Sequence, residues 1–140
     1  MSRRSKPSVC HCINLRRAAA AVTDYYDRAL KATGLTINQY SLLVNIKSAQ
    51  PLTVSALALL VGLERTTLAR SLKPLFLAGL IEDTARPGGR ERQLRLSAEG
   101  ASRLKQAAPL WDQAQAGIES ALGPRGLNKL NSLLFSLENI

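Results

Sequence analysis

The chain has 140 residues, with 19 Lys and Arg against 10 Asp and Glu, so its formal net charge is +9. This length predicts one domain, and 46% apolar residues suffice for a packed core, which excludes wholesale disorder. The basic balance favours nucleic acid as the partner, with an anionic membrane surface second. Aromatic residues are only 4%, which argues against a stacking platform for single-stranded nucleic acid.

The sequence predicts neither a membrane span nor a secretory signal. No apolar run approaches the roughly 20 residues that a span requires, and the basic residues 1–7 are not followed by an apolar stretch. Cys10 and Cys12 cannot build a disulfide framework. We therefore expect a cytoplasmic protein in a reducing compartment.

Helical periodicity dominates the first fifty residues. Between residues 7 and 34, apolar positions recur at steps of three and four with charged positions between them, which predicts a helix that ends at Gly34. A second helix is predicted after Thr36, and it should end before Pro51, because the residue preceding a proline disfavours the α region.

The next segment predicts a helix-turn-helix. Thr53 is expected to cap a short helix that Gly62 ends, and a further helix should run from Arg65 to about Ala78. We call this further helix the reading helix. Its leucines fall on one face at 100° per residue, and the opposite face carries Thr66, Arg70 and Lys73.

The outer face of the reading helix suits a DNA major groove. Arginine can bond guanine through two hydrogen bonds, and threonine can contact a phosphate, a base edge or a thymine methyl. The alternative is an ordinary solvated amphipathic helix. Pro74 is expected to bend the C-terminal half of this helix and to leave its N-terminal half intact.

A change of periodicity after Gly79 predicts a β-hairpin. Residues 80–85 and 92–96 are predicted strands, and residues 86–91 form a charged tip rich in turn formers. An arginine-tipped ribbon suits a narrow minor groove, although a turn kept soluble by charge is the alternative. A helix-turn-helix followed by this hairpin is a winged helix, whose predicted DNA-binding residues are Ser55, Arg65, Thr66, Thr67, Arg70, Ser71, Lys73, Arg86, Arg90 and Arg92.

The C-terminal part is predicted to be helical. Ser97 should cap a long helix, Pro109 should kink it, and Gly123-Pro124 should break it before a last leucine-striped helix. The apolar faces of these helices and of the first helix are together larger than one small winged helix can cover. Such exposed faces predict an interface with a second copy.

The segment from Val54 to Gly100 resembles the MarR family of transcriptional regulators. The likeness lies in Leu57-Ala58, the run Val61-Gly62-Leu63-Glu64-Arg65-Thr66-Thr67-Leu68, Leu75 with Gly79-Leu80-Ile81, and Arg90 with Leu96-Ser97 and Gly100. It implies a mainly α fold with a small β-hairpin, in which a winged-helix head at about 36–96 joins dimerisation helices at about 8–34 and 97–140 within one domain, 1–140. Gly88 stands where the family's wing has a bracing Asp.

The family resemblance also implies a function. A homodimer would bind a palindromic operator in double-stranded DNA and would repress transcription until an effector binds or a thiol is oxidised. Small aromatic or carboxylate effectors would bind between the dimer helices and the head, near Arg16, Tyr26 and Tyr40. The alternative for the tyrosines is packing in the core.

The sequence Cys10-His11-Cys12 is the second candidate site. A metal site is disfavoured because no second cluster completes tetrahedral zinc. Some relatives that sense organic hydroperoxides carry a reactive cysteine near the start of the first helix, so the resemblance implies a redox role for Cys10 or Cys12. Small packing residues are the alternative. A bridge between the two thiols is disfavoured, because residues two apart on a helix do not face each other.

Enzyme activity is not predicted. No arrangement of catalytic residues, phosphate-binding glycine loop or pair of metal ligands stands out, and no cofactor is expected. The alternatives to an operator-specific regulator are a non-specific architectural DNA-binding protein and a thiol- or metal-responsive protein.

Overall fold

The computed structural model describes residues 6–85, 88–89 and 91–140. The described part is mainly helical with a small antiparallel sheet, which confirms the predicted fold class. The helices are α1 (His11–Leu30), α2 (Ile37–Ala49), α3 (Val54–Val61), α4 (Arg65–Leu77) and α5 (Ala98–Glu138), and the strands are β1 (Leu52–Thr53), β2 (Ile81–Asp83) and β3 (Gln93–Leu96). The reading helix is α4.

The strands of the described residues form a sheet in the order β1-β3-β2. β2 and β3 make the predicted hairpin, with Ile81 opposite Leu96. β1 is not predicted from the sequence, and it pairs Leu52 with Leu94 on the free edge of β3. The sheet therefore ties the base of the wing to the segment that leads into α3.

Local capping chemistry starts the helices where the sequence predicts. Thr36, Thr53 and Ser97 each accept a hydrogen bond from the backbone N–H three residues further along. Such a bond satisfies one of the backbone donors left open at a helix start. Gly62 ends α3 at φ 68°, a left-handed conformation that glycine adopts without a steric penalty.

Among the described residues, one cluster of buried side chains holds the head together and reaches α5. On α4, Leu68, Leu72 and Leu75 are at most 2% exposed, so the predicted inner face is confirmed. Leu104 and Ala107 of α5 belong to the same cluster. Because these leucines face inward, the opposite face of α4 points to solvent.

The long helix α5 is interrupted at Gly123, beyond the part of the helix that packs on the head. Gly123 has non-helical dihedrals, φ 70° and ψ 167°, and this confirms the break predicted at Gly123-Pro124. The helix continues through Pro109 with helical backbone dihedrals. Among the described residues, no helix is long and apolar enough to cross a membrane.

α1 packs along α5, so the first and last helices lie side by side. The Tyr26 hydroxyl donates a hydrogen bond to the side-chain oxygen of Gln115. A Cβ at Gly117 would overlap the Tyr25 hydroxyl, so the glycine permits this close approach. α1 is also tied to the head, since the Asp27 carboxylate accepts a hydrogen bond from the first N–H of α2 at 2.7 Å.

Candidate nucleic-acid interface

The outer face of α4 is an exposed basic surface of the head. Thr66, Thr67, Arg70 and Lys73 are all exposed. Ser71 is half-buried, and its hydroxyl donates to the Thr67 carbonyl at 3.2 Å. Among the described residues, no side chain accepts a capping hydrogen bond from the backbone at the start of α4. Its first N–H groups are therefore open to an anion, as helix N-termini that bind phosphate are.

The wing is joined to the helix-turn-helix through Glu91. Its carboxylate accepts hydrogen bonds from the Ser55 hydroxyl at 2.5 Å and from the Arg65 guanidinium at 3.3 Å. Ser55 and Arg65, both predicted to contact DNA, are thus brought together on a wing residue. Glu91 is not among the residues predicted from the sequence, although it is the acidic residue of the hairpin tip and lies three residues after Gly88.

The neighbouring wing residue, Arg92, is held against α4. Its guanidinium lies over the ring of Phe76, 4.9 Å from the ring centroid, and 3.9 Å from the Asp83 carboxylate. On the sheet, Arg95 pairs with Glu82 across the two strands at 3.8 Å. Arg86 and Arg90, predicted at the wing tip, lie outside the described residues.

A groove of about 860 Å³ separates α4 from the wing. Both apolar and charged side chains line it. Its lining includes Val54, Leu72, Phe76, Lys73, Glu91 and Arg92. This helix–wing groove opens beside the outer face of α4, since Thr66 and Lys73 also line it.

The two thiols are both exposed. Cys10 is the N-cap of α1, with extended dihedrals of φ −85° and ψ 116°, and Cys12 lies within the helix. Cys10 therefore lies just outside the helix that contains Cys12, and the expectation that both sit on one helix is wrong. Their exposure also removes the alternative of packing within a single chain. Among the described residues, no group of three or more His, Cys, Asp or Glu could hold a metal ion.

The predicted effector residues differ in their exposure. Arg16 is exposed on α1, whereas Tyr40 belongs to the buried cluster and stacks on Trp111. Tyr26 is half-buried and bonded to Gln115. Burial raises the pKa of both hydroxyls, with the charges of Tyr25 and Glu119 adding to the rise at Tyr26 and that of Asp112 at Tyr40. The helix–wing groove is lined by other residues.

Known proteins resemble this chain in sequence and in structure. The MarR family model matches residues 35–90. The M. tuberculosis transcriptional regulator MosR, solved in complex with DNA, is 37% identical, with a TM-score of 0.79 over 93% of this chain and 97% of that chain. No curated protein matches the chain.

Two more distant structures show the same fold. The transcriptional repressor CouR, bound to a 23-mer DNA duplex, is 22% identical with a TM-score of 0.81 and covers 96% of this chain and 99% of its own. The S. aureus MepR–DNA complex is 16% identical with a TM-score of 0.82, over 94% and 98% of the two chains.

Proposed function

Because the chain belongs to the MarR family, we propose that this DNA-binding transcriptional regulator is a repressor that acts as a homodimer on a palindromic operator. Its similar relatives are transcriptional regulators and not enzymes. A purely architectural DNA-binding protein and a metal-responsive protein become the alternatives that experiment must exclude.

The exposed basic face of α4 is the observation that carries the proposal. Arg70 and Lys73 point away from a fully packed leucine face, and the open N-terminus of α4 lies at one end of the same surface. In this proposal α4 enters the major groove, where Thr66, Thr67 and Arg70 contact bases or phosphates. The wing reaches the adjacent minor groove with its arginines.

Exposed apolar side chains at both ends of the chain support the homodimer. They lie on α1 and on the C-terminal part of α5 and are 38–68% exposed in the single chain. The set comprises Ile13, Leu15, Val22, Leu122, Leu130, Leu133, Leu134, Phe135 and Leu137. Residues of about 8–34 and 97–140 would form the interface, and residues of about 36–96 would form the DNA-binding head.

The proposal is tested on the DNA that flanks the gene. The purified protein should protect a palindrome there, with half-sites about one helical turn, or a multiple of it, apart. A salt titration on this DNA and on a random duplex of equal length separates the alternatives. An operator-specific regulator keeps a preference of at least about 1,000-fold for the palindrome, whereas an architectural protein binds both alike.

Two release signals are compatible with the fold. Cys10 and Cys12 are exposed at the start of α1, close to the proposed dimer interface, and this favours thiol oxidation. CouR, which shares the fold, is bound to p-coumaroyl-CoA in one structure, and a small effector near Arg16, Tyr26 and Tyr40 is the second candidate. In either case the regulator would act in the cytoplasm, where its DNA lies.

A further inference from the structure

Glu91 holds together three parts of the DNA-binding head. Its carboxylate accepts hydrogen bonds from Ser55 near the start of α3 and from Arg65 at the start of α4, while its own backbone belongs to the wing. It also lines the helix–wing groove together with Lys73 and Arg92. A negative charge therefore lies among cations on the surface that is proposed to meet the DNA backbone.

The Glu91–Arg65 ion pair is one that a phosphate can displace. The Arg65 side chain is 64% exposed and the Glu91 side chain 38% exposed, so water and salt weaken their attraction. A phosphate would attract Arg65 with a comparable charge-assisted bond. The same phosphate would be repelled by Glu91, which adds a penalty to any contact of the backbone with this surface.

We propose that Glu91 is an intramolecular competitor of the DNA backbone for Arg65, so that a phosphate must displace the carboxylate before the guanidinium can bind it. On random DNA the reading helix makes no base contacts that offset the repulsion, and Arg65 stays on Glu91. On the operator the base contacts hold the backbone in place, and Arg65 exchanges its carboxylate for a phosphate. The operator complex therefore bears the loss of the ion pair, and this inference rests on the proposed position of α4 in the major groove.

The substitution Glu91→Gln separates charge from geometry. Its amide oxygen can still accept the Ser55 hydrogen bond, while the charge that holds Arg65 is gone. We expect affinity for a random duplex to rise about tenfold and affinity for the operator to rise at least as much, because the wild-type operator complex has lost the ion pair and bears the repulsion. The slope of log K against log salt on random DNA should steepen by about 0.9 for each released Arg65, or about 1.8 for a dimer.

A control variant tests whether the loss of any negative charge from the head changes binding to random DNA in the same way. Glu82→Gln removes an equal charge from the sheet, where Glu82 pairs with Arg95 at 3.8 Å. We expect it to leave the slope on random DNA nearly unchanged. An equal effect of both variants would overturn the proposal, and so would a Glu91→Gln variant that weakens both duplexes without altering either slope, since that result describes a merely structural role.

A double substitution identifies the released group. Adding Arg65→Gln to Glu91→Gln should cancel the gain in affinity and slope on random DNA, whereas Arg65→Gln alone should act mainly on the operator. A gain that persists without Arg65 would overturn the proposal. The wild-type preference for operator over random DNA tests the proposed function separately, because the salt slope on random DNA reports the Glu91–Arg65 exchange even where no operator preference exists.

Discussion

Tyr40 of α2 and Trp111 of α5 stack with their ring centroids 6.0 Å apart and their planes 20° apart. This stack joins the DNA-binding head to the helix that is proposed to form the dimer interface. Because Tyr40 is only 8% exposed, the contact is part of the core. A change in the angle between α2 and α5 would have to repack it.

Burial of Tyr40 makes the free energy of unfolding depend on pH in the alkaline range. The pKa of its hydroxyl is raised above the ordinary 10.0, first by burial and then by the charge of Asp112. A raised pKa favours the neutral form in the folded state, so this stability is fully present below pH 10 and is lost as the pH rises through the folded-state pKa. Urea unfolding should show the loss in wild type and a smaller loss in Tyr40→Phe. Tyrosinate absorbance that places the Tyr40 ionisation at or below its ordinary pKa would contradict this.

The reading role of α4 is tested at the centre of its outer face. Replacing Arg70 with alanine should weaken operator binding by about 1–3 kcal/mol if the guanidinium contacts a base. Arg28→Ala on α1 removes the same charge from an exposed site paired with Asp24 and serves as the control. Fluorescence anisotropy on operator and random duplexes measures both. Unchanged operator affinity in a folded Arg70→Ala dimer would remove α4 from the reading role.

The C-terminal apolar face is expected to hold two chains together. Wild type should sediment at about twice 15.2 kDa at micromolar concentration, and Leu134→Glu should shift it to one chain by burying a charge at the interface. Leu59→Glu is the matched control, because Leu59 is 86% exposed on α3, outside the proposed interface. A wild-type monomer would contradict both the dimer and the palindromic operator.

Thiol oxidation should release the operator through Cys10. Both thiols are accessible to peroxide, and oxidation would place a polar group at the start of α1, beside the proposed interface. Peroxide is expected to lower operator affinity in wild type and in Cys12→Ser, with no effect in Cys10→Ser. Mass spectrometry of the unreduced chain distinguishes an oxyacid at Cys10 from a Cys10–Cys12 bridge. If peroxide leaves wild-type binding unchanged, a small effector is the remaining release signal.

The start of α5 should tolerate no side chain at Gly100. A Cβ there would overlap the backbone carbonyl oxygen of Leu80, which cannot move away as a flexible side chain would. Gly100→Ala should lower the free energy of unfolding by about 3 kcal/mol, at the upper end for overpacking. Ser102→Ala, at an exposed position on the same helix, should change it by less than about 0.5 kcal/mol. Equal urea midpoints for wild type and Gly100→Ala would refute the expected clash.

Local chemistry explains which parts of the fold are predictable from the sequence. The caps at Thr36, Thr53 and Ser97 and the break at Gly123 depend on residues within a few positions, and a single chain shows those directly. The strand β1 is two residues long, too short for a strand periodicity to appear, and its pairing with Leu94 depends on distant sequence.

The candidate site is predictable only in part for the same reason. Helical spacing places Arg70 and Lys73 outside and the leucines of α4 inside, but spacing does not reveal which residue an inward side chain meets. The partners of Glu91 lie 36 and 26 residues away along the chain. Nothing in the hairpin sequence alone connects its carboxylate to Ser55 or Arg65.

The packing of α1 on α5 has a consequence for the order of folding. The hydrogen bond from Tyr26 to Gln115 closes a loop of 89 residues, whereas the contacts among α2, α3, α4 and the sheet close shorter ones. Because the entropy of loop closure grows with loop length, we expect the head to fold first on the ribosome and α1 to wait for α5 to emerge. The exposed apolar side chains of α1 and α5 would then be buried last, after these two helices have packed together and a second chain is available.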